Sequence, residues 1–401
     1  MHILVLNAGS SSLKYQVLDM TDQSVVIKGI VEKIGLSDSF LEYEIDGKKT
    51  HIYQKINNHK DALKLVIDKS LRSKISNLSS LSAIGHRVVH GGEYFQNAVL
   101  IDDDVLAKIK ACNELAPLHN PANAAGIIAC KALFPGILQV AVFDTAFHQS
   151  MEPAHYLYAI PYKYYEKYKI RRYGFHGTSH QFVYDKLVTS NELRVMGKKP
   201  QKVITCHVGN GVSITAIKDG KVIETSMGMT PMEGVMMGTR CGNIDPGVLT
   251  FLMKKEGLSP EQLEDMLNQE SGLLGVSGVS SDIRDILAGC KIQDARCILA
   301  LEMYINSIAK YIGAYAALLG GVGAIVLTGG VMEHRAIVRM MLIEKLAWMG
   351  ITLDKQANQD EISAEKLIST PDSLVKVVVI PTDEELMIAK EVLKEGMINN
   401  V

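Results

Sequence analysis

Ile3-Leu4-Val5-Leu6-Asn7-Ala8-Gly9-Ser10-Ser11-Ser12-Leu13-Lys14 is the stretch that decides the reading of this chain, because its pattern returns at Val203. An apolar run breaks into small residues and a lysine, and a second apolar stretch, Tyr15 to Leu18, follows. Later Val203-Ile204-Thr205-Cys206 breaks into His207-Val208-Gly209-Asn210-Gly211-Val212-Ser213, and Ile214 to Ile217 resumes. Each copy reads as strand, tight turn, strand. Glycine lets the backbone take positive φ and come close to a ligand. Consecutive backbone N–H groups, with Ser, Asn and Lys as further donors, can form an anion-binding nest. The repeat predicts a duplicated fold that holds a nucleotide between its halves.

The 401 residues are 47% hydrophobic and 21% charged, so the chain can bury large cores. At roughly 150 residues per domain, this length predicts two to three domains. Basic residues number 42 against 44 acidic ones, a net charge of −2. That balance gives no reason to expect nucleic acid or an anionic membrane as a partner, and anion binding must come from local clusters. The cysteines Cys112, Cys130, Cys206, Cys241, Cys290 and Cys297 are scattered without a CxxC pair, so neither a zinc site nor a disulfide framework is indicated. Reduced thiols predict a cytoplasmic protein. The start reaches Asn7 and Gly9 after four apolar residues, so no signal peptide is read. The apolar stretch Ala314 to Leu327 is interrupted by Gly320, Gly321 and Gly323. It is too short to span a bilayer and predicts a helix end passing into a buried strand.

Around the two hairpins, strands and helices alternate. Leu41-Glu42-Tyr43-Glu44-Ile45 alternates in character and meets Asp46-Gly47, a hairpin-turn dipeptide. Helical spacing marks residues 60–75, 102–115, 121–133, 178–188, 245–256, 260–269 and 294–319. Short apolar strands are predicted at 82–89, 138–143, 324–327 and 375–380, the second of them ending in Asp144. Thr382-Asp383-Glu384-Glu385 predicts a capped final helix over 384–396. The alternation implies a layered α/β fold. The Pro- and Tyr-rich stretch 153–168 breaks the pattern, and the domain crossover is placed just before it.

With these segments in this order, the chain resembles the acetokinase family. The resemblance is carried by Leu6 to Lys14, by Gly85-His86-Arg87-Val88-Val89-His90-Gly91-Gly92 and by Phe143-Asp144-Thr145-Ala146-Phe147-His148. It continues through Tyr173-Gly174-Phe175-His176-Gly177-Thr178-Ser179-His180, His207 to Ser213, Met236 to Pro246, Ser280 to Arg284 and Thr382 to Leu386. Together these motifs span nearly the whole chain, which is far more specific than one glycine-rich loop. The resemblance implies the architecture of the acetate and sugar kinase/Hsc70/actin superfamily: two ribonuclease H-like α/β domains with an interdomain cleft. The expected division is 1–149 plus 384–401, and 150–383. It further implies a homodimer and reversible phosphoryl transfer from ATP to acetate, giving ADP and acetyl phosphate.

Phosphoryl transfer asks a protein mainly for positioning, charge neutralisation and a metal. Arg87 and Arg240 sit beside glycines, where a long cation gains little from packing, and an Arg fork suits a carboxylate or phosphoryl oxygens. The resemblance implies that Arg87 binds acetate and Arg240 stabilises the transition state. Asp144 closes a predicted buried strand, where ligands gather in α/β sheets. The family makes it the essential acid. Acetate has no proton to give up, so Asp144 is expected to position substrate, metal or water and not to act as a base. His176 is implied as a donor to the transferring phosphoryl. The implied nucleotide contacts are Lys14, His207, Val208, Gly209, Asn210, Gly211, Asp282, Ile283, Arg284, Gly330, Val331, Met332, Glu333 and His334. Asn7 and Glu384 bear on Mg²⁺, for which Mn²⁺ can stand in; spacing alone does not separate Glu384 from Glu385. Val89, Leu118, Phe175 and Pro231 would form the acyl pocket. Valine at 89 should favour acetate over propionate only partially, since one methylene is worth about 1–3 kcal/mol.

Two segments depart from the family pattern. The usual Thr-Arg-Ser-Gly-Asp-Ile-Asp-Pro is Thr239-Arg240-Cys241-Gly242-Asn243-Ile244-Asp245-Pro246 here, with modest effects expected. The usual Gly-Ile-Gly-Glu-Asn is Gly330-Val331-Met332-Glu333-His334. Methionine for glycine removes easy access to positive φ and is expected to place a bulky side chain where adenosine lies. Two alternatives to an ATP-dependent acetate kinase therefore stand: a propionate or other short-chain carboxylate kinase, and a kinase with another nucleotide or pyrophosphate as donor. A non-catalytic binding module of the same fold is a third reading. An inactive relative would have lost one of Arg87, Asp144, His176 or Arg240, and all are present.

Overall fold

A computed structural model describes residues 1–75, 78–190 and 200–398. The chain forms two compact units: Met1–Gln149 together with the chain from Asp383 onward, and Ser150–Thr382. Each is built on its own sheet, with helices packed against it.

In the first unit the strands are β1 (His2–Ala8), β2 (Leu13–Asp19), β3 (Ser24–Glu32), β4 (Phe40–Ile45), β5 (Lys48–Tyr53), β6 (Leu81–Val88), β7 (Val99–Leu100) and β8 (Leu138–Phe143). Among the described residues they run in the order β5-β4-β3-β2-β1-β6-β8-β7. β1 and β2 are antiparallel from His2↔Asp19 to Ala8↔Leu13, so the break at Gly9 to Ser12 is the hairpin turn. β1 then lies parallel to β6, and β6 parallel to β8. Ile3, Leu4 and Val5 are almost wholly buried. Each such side chain contributes about 1.5–3 kcal/mol by leaving water. Asp46 and Gly47 both take positive φ, giving the tight turn that this dipeptide predicts between β4 and β5.

The second unit repeats the scheme with β9 (Lys202–Val208), β10 (Val212–Lys218), β11 (Lys221–Thr225), β12 (Ala324–Thr328), β13 (Lys366–Leu367) and β14 (Lys376–Val379). Their order among the described residues is β11-β10-β9-β12-β14-β13. The hairpin β9/β10 pairs from Lys202↔Lys218 to Val208↔Val212, β9 is parallel to β12, and β12 to β14. The pattern of two antiparallel neighbours on one flank and two parallel ones on the other is that of β3-β2-β1-β6-β8. The duplicated α/β architecture is therefore present in the backbone hydrogen bonds of both units. The helix Ala295–Leu319 ends at Gly320, which is left-handed at φ 62°, before the chain enters β12.

The helix predicted over 60–75 is interrupted. Asn58 caps His59–Val66 through its side chain, and a wider π turn follows at Ile67–Leu71. In that turn Ser70 accepts from the Tyr15 hydroxyl at 2.6 Å. The last described helix, Glu384–Ile398, is capped by Asp383, which accepts from Leu386 N at 2.8 Å. It packs on β6 at Gly85, where an added Cβ would lie 2.7 Å from Val392 and 2.8 Å from Ile388.

Candidate active site

In the first unit the sheet delivers Asn7 at the end of β1 and Arg87 near the end of β6, and Asp144 directly follows β8. The helix Asn120–Leu133 fixes these ends. Asn123 donates to Ala8 O at 2.7 Å and accepts from Val89 N at 3.1 Å. Arg87 meets Asp144 as a fork: Nε to Oδ1 at 3.0 Å and Nη2 to Oδ2 at 2.5 Å. Its Nη1 donates to Asn7 Oδ1 at 3.3 Å, and Glu384 lies 4.0 Å from Nε. Asp144 is 1% exposed. Burial pushes its carboxyl above the usual range, while Arg87 pulls it back. Burial works against the Arg87 charge, yet Asp144 and Glu384 together hold the guanidinium more firmly protonated than usual. Beside them Glu385 is half-buried, and its partial removal from water raises its carboxyl. Acidic groups thus outnumber the one cation, and the amide and carboxylate oxygens are hard donors suited to Mg²⁺. Lys14 is exposed.

Around His176 the second unit assembles imidazoles and hydroxyls. His176 precedes the helix Gly177–Thr189 with left-handed backbone, φ 56°. Its ring stacks on His207 with centroids 4.2 Å apart. Its Nδ1 lies 2.8 Å from Ser213 Oγ, which is also 2.8 Å from His180 Nε2. His207 Nδ1 meets Ser179 Oγ at 2.8 Å, and Ser179 meets Thr382 Oγ1 at 2.7 Å. A Cβ on Gly211 would stand 3.1 Å from His176 Nε2 and 3.5 Å from Arg240 Nη1, so the imidazole edge and the guanidinium converge on this glycine. Neither Gly9, Gly209 nor Gly211 takes positive φ. The expectation of left-handed loops is corrected: glycine serves there by the space it leaves.

Arg240 sits on a long loop held by Ser271 N to Thr239 O at 2.9 Å and Leu273 N to Met237 O at 2.9 Å. Its guanidinium has the Met237 sulfur as a weak partner at 3.9 Å. No carboxylate lies within salt-bridge distance of it among the described residues, and burial disfavours its charge. Nearby Asn243 accepts from Gly234 N at 2.9 Å and donates to Tyr311 Oη at 2.7 Å, so the neutral residue in this departed segment is fully used.

A cavity of about 420 Å³ opens in this unit. It brings together Gly209, Asn210, Asp282, Ile283, Arg284, Gly330, Val331 and His334 from the expected nucleotide contacts. Tyr304 and Arg335 also line it; the first carries no motif, only helical periodicity, and the second follows the departed segment directly. Arg284 is paired with its neighbour Asp282, Nη2 to Oδ2 at 2.5 Å, at the rim. Of the expected contacts in this unit, His207, Val208, Gly211, Met332 and Glu333 do not line the cavity. Met332 lies inside the helical turn Gly330–His334 and is 0% exposed, so its side chain is core and needs no positive φ. Its carbonyl accepts from the buried Arg339. Glu333 turns away as a clamp: its Oε1 accepts from Gly329 N at 2.7 Å and Thr382 N at 3.1 Å. His207 and Val208 stand behind the loop; Val208 is fully buried. Val89 is buried and Leu118 is 68% exposed in the first unit, while Phe175 is buried and Pro231 half-buried in the second.

The acetokinase family pattern matches residues 2–390. The chain belongs to this family. It is 52% identical over 399 residues to an acetate kinase of Thermoanaerobacter pseudethanolicus, covering 98% of each chain. The fold is similar to the crystal structure of Porphyromonas gingivalis acetate kinase, with TM-score 0.93 and 46% identity over 98% of this chain and 99% of that one. It is also similar to a propionate kinase from Francisella tularensis, TM-score 0.90 and 41% identity over 97% and 98%. The activity of this family member is that of an acetate kinase, a phosphotransferase with a carboxyl group as acceptor.

Proposed function

We infer that the reaction, reversible transfer of the ATP γ-phosphoryl to acetate, is carried by the residues placed above and depends on Mg²⁺. The observation that carries this reading is Arg240: a cation largely removed from water, without a carboxylate partner among the described residues, converging with His176 on Gly211. A charge left in that state needs an anion from outside the protein. Phosphoryl oxygens, with their spread negative charge, fit an Arg fork and an imidazole N–H. Arg240 and His176 stabilise the transferring group. Arg87 receives the acetate carboxylate, and Asp144 orients Arg87. With a carboxylate as nucleophile there is no proton to remove, so the buried Asp144 serves as a fixed charge.

Asn7 and Glu384, beside Asp144, would hold the Mg²⁺, which when bound neutralises phosphate charge and orients the nucleotide. The cavity of about 420 Å³ suits a nucleoside moiety, with Ile283, Val331 and Tyr304 offering an apolar face. Because Met332 is buried, its side chain does not enter the cavity, and ATP is the donor. Val89 and Leu118 of the first unit, and Phe175 and Pro231 of the second, are the residues that would select acetate ahead of propionate. The enzyme works as a homodimer in the cytoplasm. In support of the dimer, the helix Pro246–Glu256 buries none of its residues although Val248 and Phe251 are apolar and exposed. No helix among the described residues is long and apolar enough to cross a membrane.

The test is acyl phosphate formation trapped as the hydroxamate, with acetate and propionate, each with ATP, GTP and pyrophosphate. Rapid turnover with acetate and ATP is expected. Turnover with pyrophosphate alone would overturn the donor assignment, and no turnover with any donor would overturn the catalytic reading.

A further inference from the structure

We propose that Ser213 is a positioning residue that, with His180 and Thr205, fixes the tautomer of His176 so that its proton sits on Nε2. The proposal rests on the reading of His176 as a donor to the transferring phosphoryl. The geometry is a linear relay. Thr205 Oγ1 lies 2.7 Å from His180 Nδ1; His180 Nε2 lies 2.8 Å from Ser213 Oγ; and Ser213 Oγ lies 2.8 Å from His176 Nδ1. Thr205, His180 and Ser213 are all 0% exposed.

A hydroxyl has one proton, and a neutral imidazole has one N–H and one bare nitrogen. Ser213 stands between two imidazole nitrogens; accepting from both would leave its own buried proton without an acceptor among the described residues, so it donates to one and accepts from the other. The relay therefore has a direction, and there are two choices. In the first, Thr205 donates to His180 Nδ1, His180 Nε2–H donates to Ser213, and Ser213 donates to His176 Nδ1. In the second every bond is reversed, and His176 turns a bare Nε2 outward.

The far end decides between them. Among the described residues the Thr205 hydroxyl has one hydrogen-bond partner, His180 Nδ1. In the reversed relay His180 would donate to Thr205, whose own proton would then be buried without an acceptor. A buried unsatisfied donor is disfavoured. The first direction satisfies every group and puts the neutral His176 proton on Nε2. That is the edge beside Gly211 and the Arg240 guanidinium. Fixing a tautomer through the hydrogen bond of the other ring nitrogen is a general use of histidine. The relay supplies a donor facing phosphoryl oxygens without requiring a second full positive charge beside Arg240.

The experiment has two independent readouts on the full-length enzyme. Long-range ¹H–¹⁵N correlation with labelled histidine, assigned through His176→Gln, reads the tautomer directly. The Nε2–H form is expected in the wild type, and a mixture in Ser213→Ala and in Thr205→Val. An Nδ1–H form in the wild type, or an unchanged tautomer in both variants, overturns the proposal. Kinetically, Ser213→Ala should lower kcat by about 10–100-fold, as loss of an outer partner does at comparable sites, with KM for ATP and acetate little moved. Ser213→Thr, which keeps the hydroxyl, should restore most of it. Ser213→Ala combined with His176→Ala should be no slower than His176→Ala alone; additive losses would overturn action through His176. If His176→Ala itself leaves kcat unchanged while the wild-type tautomer is Nε2–H, the phosphoryl-donor reading fails and the relay stands.

Discussion

The two units share a strand order, and yet the polar clusters at their strand ends treat charge in opposite ways. The first unit holds a bidentate ion pair, the half-buried Arg87 with the buried Asp144, and surrounds it with Asn7, Glu384 and the half-buried Glu385. The second joins imidazoles and hydroxyls, His176, Ser213, His180, Thr205, Ser179 and His207, and leaves Arg240 without a carboxylate among the described residues. The hairpin topology does not dictate site chemistry; the residues hung on its loops do. On the roles proposed above, receiving a carboxylate substrate and a metal would need the compensated charge of the first cluster, and holding a transferring phosphoryl would need the donors and the cation of the second.

The comparison breaks hardest at Asp144. Asp144→Asn removes the forked charge partner of Arg87, leaving Glu384 at 4.0 Å, and should cost about 3 kcal/mol of stability, read from the urea midpoint. Activity should fall by about 10³-fold or more. Adding Arg87→Met should recover much of the stability and none of the activity. If the single variant is as stable as the wild type, the charge in the first unit is not a buried pair. Met332→Ala probes the second unit's core in the same units. Its side chain is fully buried, so a loss of about 2–5 kcal/mol is expected, with the ratio of ATP to GTP turnover unchanged. A shift of donor preference would return Met332 to the nucleotide site.

Acid sharpens the contrast from the other side. The first unit also holds two neutral buried imidazoles. Burial pushes His86 down to about 4 and His148 down to about 3. Both lie below the ordinary 6.5, so the unfolded chain binds protons that the folded one refuses. Stability is full above pH 6.5 and falls as pH drops toward 4 and then 3, by about 3 kcal/mol for His86 alone. His86→Gln should flatten that part of the profile measured by chemical denaturation. Smaller is Val89→Ala, which should improve kcat/KM for propionate relative to acetate by about 1–3 kcal/mol, measured by the hydroxamate assay. Smallest is Asn243→Asp. An aspartate can still accept from Gly234 N and from the Tyr311 hydroxyl, so stability and activity should stay within about 0.5 kcal/mol.

Much of the fold is legible in the sequence because its signals are local. Four apolar residues before Gly9, the Asp46-Gly47 turn and the glycines closing the helix Ala295–Leu319 each determine their own neighbourhood. The family motifs also collect the residues that the structure brings together around Arg87 and around the cavity. What is not legible depends on direction and on distance along the chain. Met332 and Glu333 stand in a motif, but a turn of helix points one into the core and bends the other back onto Gly329 and Thr382. No spacing rule distinguishes those orientations from Val331 and His334, which line the cavity. The relay through Ser213 joins residues from β9, β10 and a helix start, and no pattern in any one segment announces it. The π turn at Ile67–Leu71 has the same origin: helical periodicity is present, and the wider turn brings Ser70 to a strand tyrosine.

The helix Glu384–Ile398 closes against Gly85 of β6, although the second unit's residues all lie between them in the chain. During vectorial synthesis the ribosome delivers Ser150 to Thr382 before it delivers that helix. At about 5–20 residues per second, the gap lasts on the order of tens of seconds. For that interval the nascent first unit carries an uncovered apolar sheet face. The second unit is complete only at Thr382, just before that helix begins, so the sheet made first is among the last parts of the molecule to be closed.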